Sequence, residues 1–98
     1  MTHETERAVS WIVYILHCAD NSLYTGITND LDRRMAAHAA GKGAKYTKGR
    51  GPFRLVYSET CQDRAEASRR ETAIKSMDRG KKLLLFSANG ERVLVESP

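Results

Sequence analysis

The sequence is poor in the features that mark secreted or membrane-bound chains. It has only two cysteines, Cys18 and Cys61, and they lack the CxxC or Cys/His spacing of a zinc site. Two isolated cysteines with no visible secretory signal predict reduced thiols rather than a disulfide framework. The longest apolar run, WIVYIL, is far shorter than the roughly 20 residues that cross a bilayer. We therefore expect a cytoplasmic protein without a membrane segment.

The residues that are present describe an ordinary globular chain with a basic bias. The 98 residues fit one domain, and a content of 41% hydrophobic and 29% charged residues argues against extensive disorder. The net charge of +4 favours an anionic partner, most often a nucleic acid. We expect a flexible lead over residues 1–9, a folded domain over 10–88, and a tail or short extra strand over 89–98.

Periodicity and turn residues predict six elements in the order β-β-α-β-α-α. The runs rich in β-branched and aromatic residues predict strands over 11–17, 22–28 and 53–58. The first helix is expected to be capped by Thr28 or Asn29 and to end near Gly41. The second is expected from about Cys61 to Asp78 with Thr60 as its cap, and the third over 79–88, where a strand is the alternative because LLLF is too short for periodicity to decide. The predicted fold class is α+β, a small three-stranded antiparallel sheet flanked by helices.

The predicted hairpin carries a tyrosine on each arm, Tyr14 and Tyr24. Residues directly opposite each other in an antiparallel pair share a face of the sheet, so the length of the loop decides whether the two phenols do. A two-residue loop puts them on opposite faces. A three-residue loop, Ala19-Asp20-Asn21, puts them on one face and sets Tyr14 opposite Gly26, which then leaves space over the ring. A purely structural role for both tyrosines is the alternative, because tyrosine is a common strand former.

Three polar side chains fall beside or within predicted apolar stripes of the helices. Arg34 borders the stripe of the first helix, and His38 follows it by one turn. Glu71 lies in the middle of the inward stripe of the second helix, where a carboxylate is costly unless it is paired or bound to a metal. A structural ion pair within RRETAIK is the leading structural explanation, and a metal ligand is the sharper one, because carboxylate oxygen suits magnesium or manganese.

The segment GKGAKYTKGRGP is a glycine-rich loop that combines cations with an aromatic residue. Such a composition is typical of surfaces that follow a phosphate backbone, although a solvated loop without a ligand has the same composition. The candidate nucleic-acid contacts are Gly26, Lys42, Lys45, Tyr46, Lys48 and Arg50.

In this order, these residues resemble the signature of the GIY-YIG nuclease domain family. The family's two triplets correspond here to Ile12-Val13-Tyr14 and Tyr24-Thr25-Gly26. Its arginine, the histidine one turn later in some members, and the glutamate on a later helix match Arg34, His38 and Glu71. The resemblance covers about residues 10–87. The phrases SLYTGITNDLDRR and RRETAIK are most similar to the small stand-alone bacterial members.

The sequence departs from the family pattern at several positions. Ile12 stands in place of the first glycine, Ile27 in place of a lysine present in some members, and Leu83 in place of an asparagine found in several family nucleases. Asn89 lies further along the chain. No appended DNA-recognition domain is visible, so specificity is expected to come from this domain or from a partner protein.

The resemblance implies hydrolysis of DNA phosphodiester bonds, in DNA repair or processing, with one Mg²⁺ or Mn²⁺ ion. Tyr14 is the expected general base with Tyr24 holding the water or phosphate, or the two exchange these roles. Arg34 is expected on the scissile phosphate, Glu71 on the metal, and His38 between base and phosphate.

Two other functions compete with cleavage. The first is a nucleic-acid-binding module of the same fold with weak or lost cleavage, which the leucine at position 83 supports. The second is a small interaction protein with a structural tyrosine hairpin, against which the complete set of signature residues argues. The DNA substrate, branched or single-stranded among others, is left open.

Overall fold

The computed structural model describes residues 10–89, with side chains described up to Leu85. The elements are strands β1 (Trp11–His17), β2 (Leu23–Thr28) and β3 (Arg54–Cys61) and helices α1 (Leu31–Ala39), α2 (Arg64–Lys75) and α3 (Arg79–Asn89). The sheet has the strand order β2-β1-β3, and both pairings are antiparallel. The predicted α+β class and element order are therefore confirmed. The expected lead over 1–9 and most of the expected tail lie outside the described residues.

The hairpin of β1 and β2 has the register that places both tyrosines on one face. Tyr14 pairs with Gly26 and Leu16 pairs with Tyr24. The loop closes through a hydrogen bond from the Cys18 amide to the Ser22 carbonyl, 2.9 Å, which encloses three residues. The last of these, Asn21, has φ +72°, the left-handed conformation that such a loop requires.

Helix α1 begins later than predicted, because its N-cap lies one residue after Asn29 and two after Thr28. Asp30 is the N-cap, and its side chain accepts a hydrogen bond from the amide of Arg33. Thr28 supports this turn from outside the helix, because its hydroxyl oxygen accepts from the amide of Asp30 at 3.0 Å. The chain leaves the helix at Gly41, where φ is +80°, a conformation that glycine adopts without strain.

The boundary between β3 and α2 was predicted too early. The strand continues through Cys61, which pairs with Trp11, so Thr60 and Cys61 belong to the sheet rather than to a helix start. The N-cap of α2 is Asp63, whose carboxylate accepts from the Glu66 amide at 2.8 Å. A β-branched residue pairs well in a strand, and this preference outweighs the weaker capping preference of a threonine. The helix also ends at Lys75, before the predicted Asp78.

The hydrophobic core lies between one face of the sheet and the helix α2. Val13 and Ile15 of β1 are completely buried against Ala67 and Ile74 of α2, with Leu85 of α3 at the margin. The opposite face of β1 carries Tyr14, which is also completely buried. The sheet therefore separates an apolar core on one side from a polar cluster built around Tyr14 on the other.

The remaining sequence expectations concern α3 and the cysteines. The segment from Arg79 is a helix, which excludes the alternative strand. Cys18 and Cys61 are both buried and free, as the sequence predicts. Among residues 10–89, no helix is long and apolar enough to cross a membrane.

Candidate active site

The two hairpin tyrosines meet over Gly26. The ring centroids of Tyr14 and Tyr24 are 6.3 Å apart, and a Cβ atom added to Gly26 would lie 2.7 Å from the Tyr14 hydroxyl oxygen. Glycine at this position is therefore a steric requirement of the pair, as the register predicts. Tyr24 is half-buried and lines an open groove of about 270 Å³, so this side of the pair is accessible from solvent.

His38 joins Tyr14 to the loop that follows α1. Its Nε2 lies 2.8 Å from the Tyr14 hydroxyl, and its Nδ1 lies 2.9 Å from the hydroxyl of Thr47. Both His38 and Thr47 are 1% exposed. Gly43 packs directly against the imidazole, because a Cβ there would lie 2.3 Å from Nδ1. The ring is thus fixed in orientation by a hydrogen bond at each nitrogen and by backbone against one side.

Burial sets the protonation of Tyr14 and His38. Loss of hydration raises the pKa of Tyr14, and the nearby Arg34 guanidinium only partly offsets this effect. Burial lowers the pKa of His38, and the positive charge of Arg34 lowers it further. Near neutral pH, Tyr14 is therefore a neutral phenol and His38 a neutral imidazole.

Arg34 brings its positive charge to the tyrosine pair. Hydrogen bonding to Tyr14 and the proximity of both phenols raise the pKa of Arg34, so it remains a cation. Within the described part of the chain, its buried Nε has no hydrogen-bond partner. A buried guanidinium N–H without an acceptor is rare in native proteins, so this atom sets Arg34 apart from an ordinary surface arginine.

Glu71 approaches the same cluster from α2. Its negative charge is one of the contributions that raise the pKa of Tyr14, so its carboxylate lies within electrostatic range of the phenol. Its Oε2 forms an ion pair with the Nζ of Lys75, one turn further along α2, at 3.2 Å. Lys75 also lines the groove beside Tyr24, together with Lys82 of α3. Glu71 therefore forms the structural ion pair that the sequence suggested and also acts electrostatically on the Tyr14 phenol.

The glycine-rich loop covers Tyr24 with a stack of side chains. The ring of Tyr46 lies 5.8 Å from that of Tyr24 at an interplanar angle of 20°, and the guanidinium of Arg50 lies 4.3 Å from the centroid of Tyr46 on the ring face. Arg50 also forms an ion pair with Asp20 at the hairpin turn. Tyr46 and Arg50 thus hold the loop against the hairpin.

The predicted site residues fall into two groups. Tyr14, Tyr24, Gly26, Arg34 and His38 form one continuous cluster, and Glu71 lies near enough to influence it electrostatically. The loop lysines Lys42, Lys45 and Lys48 are exposed, and none of them has an ion pair among the described residues.

Sequence reasoning missed Thr47 and Gly43, the two residues that fix His38. Both lie in a loop that was assigned to phosphate contact as a whole, and no spacing rule links them to a histidine on the preceding helix. The signal that was available is compositional: a small residue and a hydroxyl soon after a candidate catalytic histidine are suited to packing against it and bonding it.

A divalent metal fits this site only through Glu71. Residues 10–89 contain no cluster of three or more His, Cys, Asp or Glu side chains arranged to hold a metal ion. A single carboxylate oxygen is nevertheless a normal protein ligand for Mg²⁺, which keeps several waters and takes further oxygens from a phosphate substrate. The donor chemistry therefore suits a hydrated magnesium or manganese ion and does not suit a closed structural site.

The fold and the cluster of tyrosines, arginine, histidine and glutamate define the class of the protein. Residues 10–83 match the model of the GIY-YIG catalytic domain, which is three quarters of the chain. The chain therefore belongs to the GIY-YIG family.

Within this family, the chain is similar to a set of small proteins named UPF0213. It is 52% identical over 87 residues to the UPF0213 protein DP2720 of Desulfotalea psychrophila, covering 88% of this chain and 78% of that protein. The solution NMR structure of the UPF0213 protein BH0048 from Bacillus halodurans aligns with a TM-score of 0.57 at 51% identity, over 86% of this chain and 89% of that one. The NMR structure of EF2693 from E. faecalis gives 0.56 at 34% identity, over 84% and 91%.

Proposed function

We propose that this protein is a divalent-metal-dependent endonuclease that hydrolyses DNA phosphodiester bonds. The observation that carries the proposal is the hydrogen bond between the Tyr14 hydroxyl and Nε2 of His38, a neutral imidazole, with the cationic Arg34 near the same phenol. A general base needs a route for the proton it accepts, and a phosphate needs a cation at the point where negative charge develops. Both requirements are met at one phenol.

In this mechanism Tyr14 is the general base and His38 receives its proton. Because the pKa of Tyr14 is raised, the phenol keeps its proton at neutral pH. It transfers its own proton to Nε2 of His38, 2.8 Å away, as it takes a proton from the attacking water. The imidazole contacts the hydroxyl of Tyr14 rather than that of Tyr24, which favours Tyr14 over the reversed assignment. Tyr24 then positions the water or the phosphate.

Arg34 binds the scissile phosphate. Its side chain is only partly buried and lines an open groove at the start of α1, where a guanidinium can form paired hydrogen bonds with phosphate oxygens. Because the guanidinium is also close enough to the Tyr14 phenol to lower its pKa, the same cation orients the substrate and stabilises a developing phenolate.

Glu71 is the metal ligand in this proposal. A bound Mg²⁺ or Mn²⁺ would act as a Lewis acid beside the leaving oxygen. Glu71 itself supplies one carboxylate oxygen, and it must first leave its ion pair with Lys75. A single protein ligand predicts weak binding of the metal in the absence of DNA.

The nucleic-acid contacts and the cellular role follow from the same site. Gly26 permits close approach to the tyrosines, and the exposed cations of the glycine-rich loop are suited to the flanking phosphates. Tyr46 and Arg50 contribute to this surface by holding the loop in place. We propose a cytoplasmic role in DNA repair or processing on DNA that includes branched or single-stranded forms, with a partner protein supplying specificity.

The decisive experiment is cleavage of branched, single-stranded and duplex DNA with magnesium or manganese. We expect Arg34→Ala to lower kcat/KM by about 100- to 1,000-fold, the usual effect of losing one group that stabilises transition-state charge. Glu71→Gln should abolish cleavage while retaining DNA binding. Arg33→Ala is the matched control, since Arg33 is exposed on the same helix, and it should stay within about threefold of the parent protein.

A second candidate function, nucleic-acid binding with weak or lost cleavage, is favoured by one observation. Glu71 is already paired with Lys75, whose ammonium group competes with a metal ion for the carboxylate. Salt-sensitive DNA binding by the parent protein without cleavage of any of the three substrates under either metal would support this alternative and contradict the nuclease proposal.

A further inference from the structure

The hydroxyl of Thr47 has a directional role that the nuclease proposal leaves unassigned. It lies 3.1 Å from the carbonyl oxygen of Ala44 and 2.9 Å from Nδ1 of His38. A carbonyl oxygen can only accept, so the hydroxyl proton of Thr47 is directed to Ala44. The Thr47 oxygen is then left to accept a hydrogen bond, and the Nδ1 of His38 must be the donor.

The other end of the imidazole leads independently to the same tautomer. Tyr14 is completely buried, and in the described part of the chain its hydroxyl makes one side-chain hydrogen bond, with Nε2 of His38 at 2.8 Å, while the Arg34 guanidinium is also close to it. A guanidinium can only donate, so the proton of the Tyr14 hydroxyl has Nε2 of His38 as its acceptor. With Nε2 accepting, a neutral imidazole carries its proton on Nδ1. This tautomer satisfies the hydrogen bonds of Tyr14, His38 and Thr47 together.

We propose that Thr47 is a positioning residue that keeps the proton of His38 on Nδ1, so that Nε2 is free to receive the proton of Tyr14. This inference rests on the proposed nuclease function for its kinetic consequence only. During the transfer the Tyr14 O–H bond breaks and an Nε2–H bond forms. The imidazolium then donates from Nδ1 to Thr47, and its extra proton leaves to solvent after hydrolysis. Gly43 completes the arrangement, because any larger residue there would collide with the ring at Nδ1.

The tautomer itself can be measured without any cleavage assay. Long-range ¹H–¹⁵N correlation of the His38 imidazole near neutral pH distinguishes a protonated from an unprotonated ring nitrogen. We expect a proton on Nδ1 in the parent protein and in Thr47→Ser, and a shift toward protonated Nε2 in Thr47→Val, which has a similar shape but no hydroxyl. A proton found on Nε2 in the parent protein would overturn the proposal without any variant.

The kinetic arm uses the same variants on a DNA substrate that the parent protein cleaves. Thr47→Val should lower kcat by about 10- to 100-fold, the size of effect found when the outer partner of a functional histidine is removed. KM should change little because Thr47 is buried behind His38, and Thr47→Ser should restore kcat. The matched control is Thr72→Val, an exposed threonine of α2, which should behave as the parent protein does.

A pH profile separates positioning from simple packing. Cleavage requires neutral His38, so kcat should fall as the pH drops through the pKa of His38, which burial holds below its ordinary value of about 6.5. Removing the acceptor for Nδ1–H makes the imidazolium less favourable, so Thr47→Val should move this acid limb to lower pH. A lower kcat with an unmoved limb and an unchanged tautomer would contradict the proposal. Failure of the parent protein to cleave DNA would contradict the nuclease function while the NMR result still decides the role of Thr47.

Discussion

At the scale of single residues, the site depends on two glycines that bring backbone directly against a functional ring. Gly26 faces the Tyr14 hydroxyl and Gly43 faces the imidazole of His38. A Cβ atom added at either position would lie closer to the ring than real Cβ atoms are found. Neither glycine has a positive φ, so conformational freedom does not explain them. They provide space, and that space lets a phenol and an imidazole approach each other in a buried setting.

The substitution Gly26→Ala tests this steric role. The new methyl group would lie 2.7 Å from the Tyr14 hydroxyl oxygen and 3.0 Å from Cε2 of Tyr24, and two rigid rings have little room to move. We expect a loss of about 1–3 kcal/mol in the free energy of unfolding, as for other overpacked sites. Urea denaturation measures the loss, and cleavage should fall at the same time.

Gly80→Ala is the control for this substitution. Gly80 lies in the first turn of α3, and its nearest neighbour to an added Cβ is at 3.5 Å, an ordinary contact. Alanine should leave stability unchanged or raise it by up to about 1 kcal/mol, because it is the better helix former. Equal losses in the two variants would contradict a specific role for Gly26.

At the scale of elements, β3 and α2 are joined by an ion pair that the sequence did not predict. Nε of Arg70 lies 3.0 and 2.9 Å from the two carboxylate oxygens of Glu59, and Tyr57 donates to the same carboxylate at 2.5 Å. Both charged side chains are roughly one third exposed, so solvent weakens the interaction. The pair still fixes how α2, and with it Glu71, lies across the sheet.

Arg70→Ala should therefore lower the free energy of unfolding by about 1–2 kcal/mol. This is the range for hydrogen bonds to a charged group, reduced because the pair is partly exposed. The matched control is Arg69→Ala, which removes an exposed arginine one residue away and should change stability by less than about 0.5 kcal/mol. Thermal or urea unfolding of the two variants compares them directly. A loss in Arg69→Ala as large as that in Arg70→Ala would contradict the role of the pair.

The elements that could be predicted from the sequence are those with local signals. Alternation and the turn residues predict the hairpin, which the structure confirms, but they leave its register open between a two-residue and a three-residue loop. The structure has the three-residue loop, which puts both tyrosines on one face. The start of α2 was predicted wrongly because a threonine can stand at a cap or in a strand, and the pairing of Thr60 with Ile12 of β1, which decides between them, is a contact distant in sequence. The bond between His38 and Thr47 was also beyond sequence reasoning, because the path of a loop decides it.

At the scale of the whole molecule, the apolar core lies on one face of β1 and the cluster around Tyr14 on the other, called here the chemical side. Helix α2 contributes Ile74 to the core, and its Glu71 approaches the chemical side. The apolar core with α2 lies against one face of β1, and the Tyr14–His38–Thr47 chain of hydrogen bonds lies on the other. The chain has a net charge of +4, and the lysines of the glycine-rich loop are exposed to solvent. This arrangement favours a polyanionic ligand on the chemical side.

The salt dependence of DNA binding tests this distribution of charge. In the Glu71→Gln protein, the affinity should fall as salt rises, with a log–log slope of about −0.7 to −0.9 per phosphate contact. Replacing Lys42, Lys45 and Lys48 together by alanine should reduce the magnitude of this slope by about 2–3. Lys81→Ala is the control for an exposed lysine on α3, outside the groove beside Tyr24, and should leave the slope nearly unchanged. An unchanged slope in the triple variant would contradict a role of the loop in phosphate contact.

The two buried cysteines have a practical consequence, since they lie at opposite ends of the central strand. Cys61 pairs with Trp11 at the beginning of β1, whereas Cys18 directly follows its last residue. Seven residues of extended chain span about 20 Å, which is much too far for a crosslink between the two thiols. Each sulfur is thus an independent internal probe. The rate at which a small reagent alkylates each thiol, followed by peptide mass spectrometry, would report how often the sheet opens at that place. Cys18 reports on the turn end, and Cys61 reports on the opposite end.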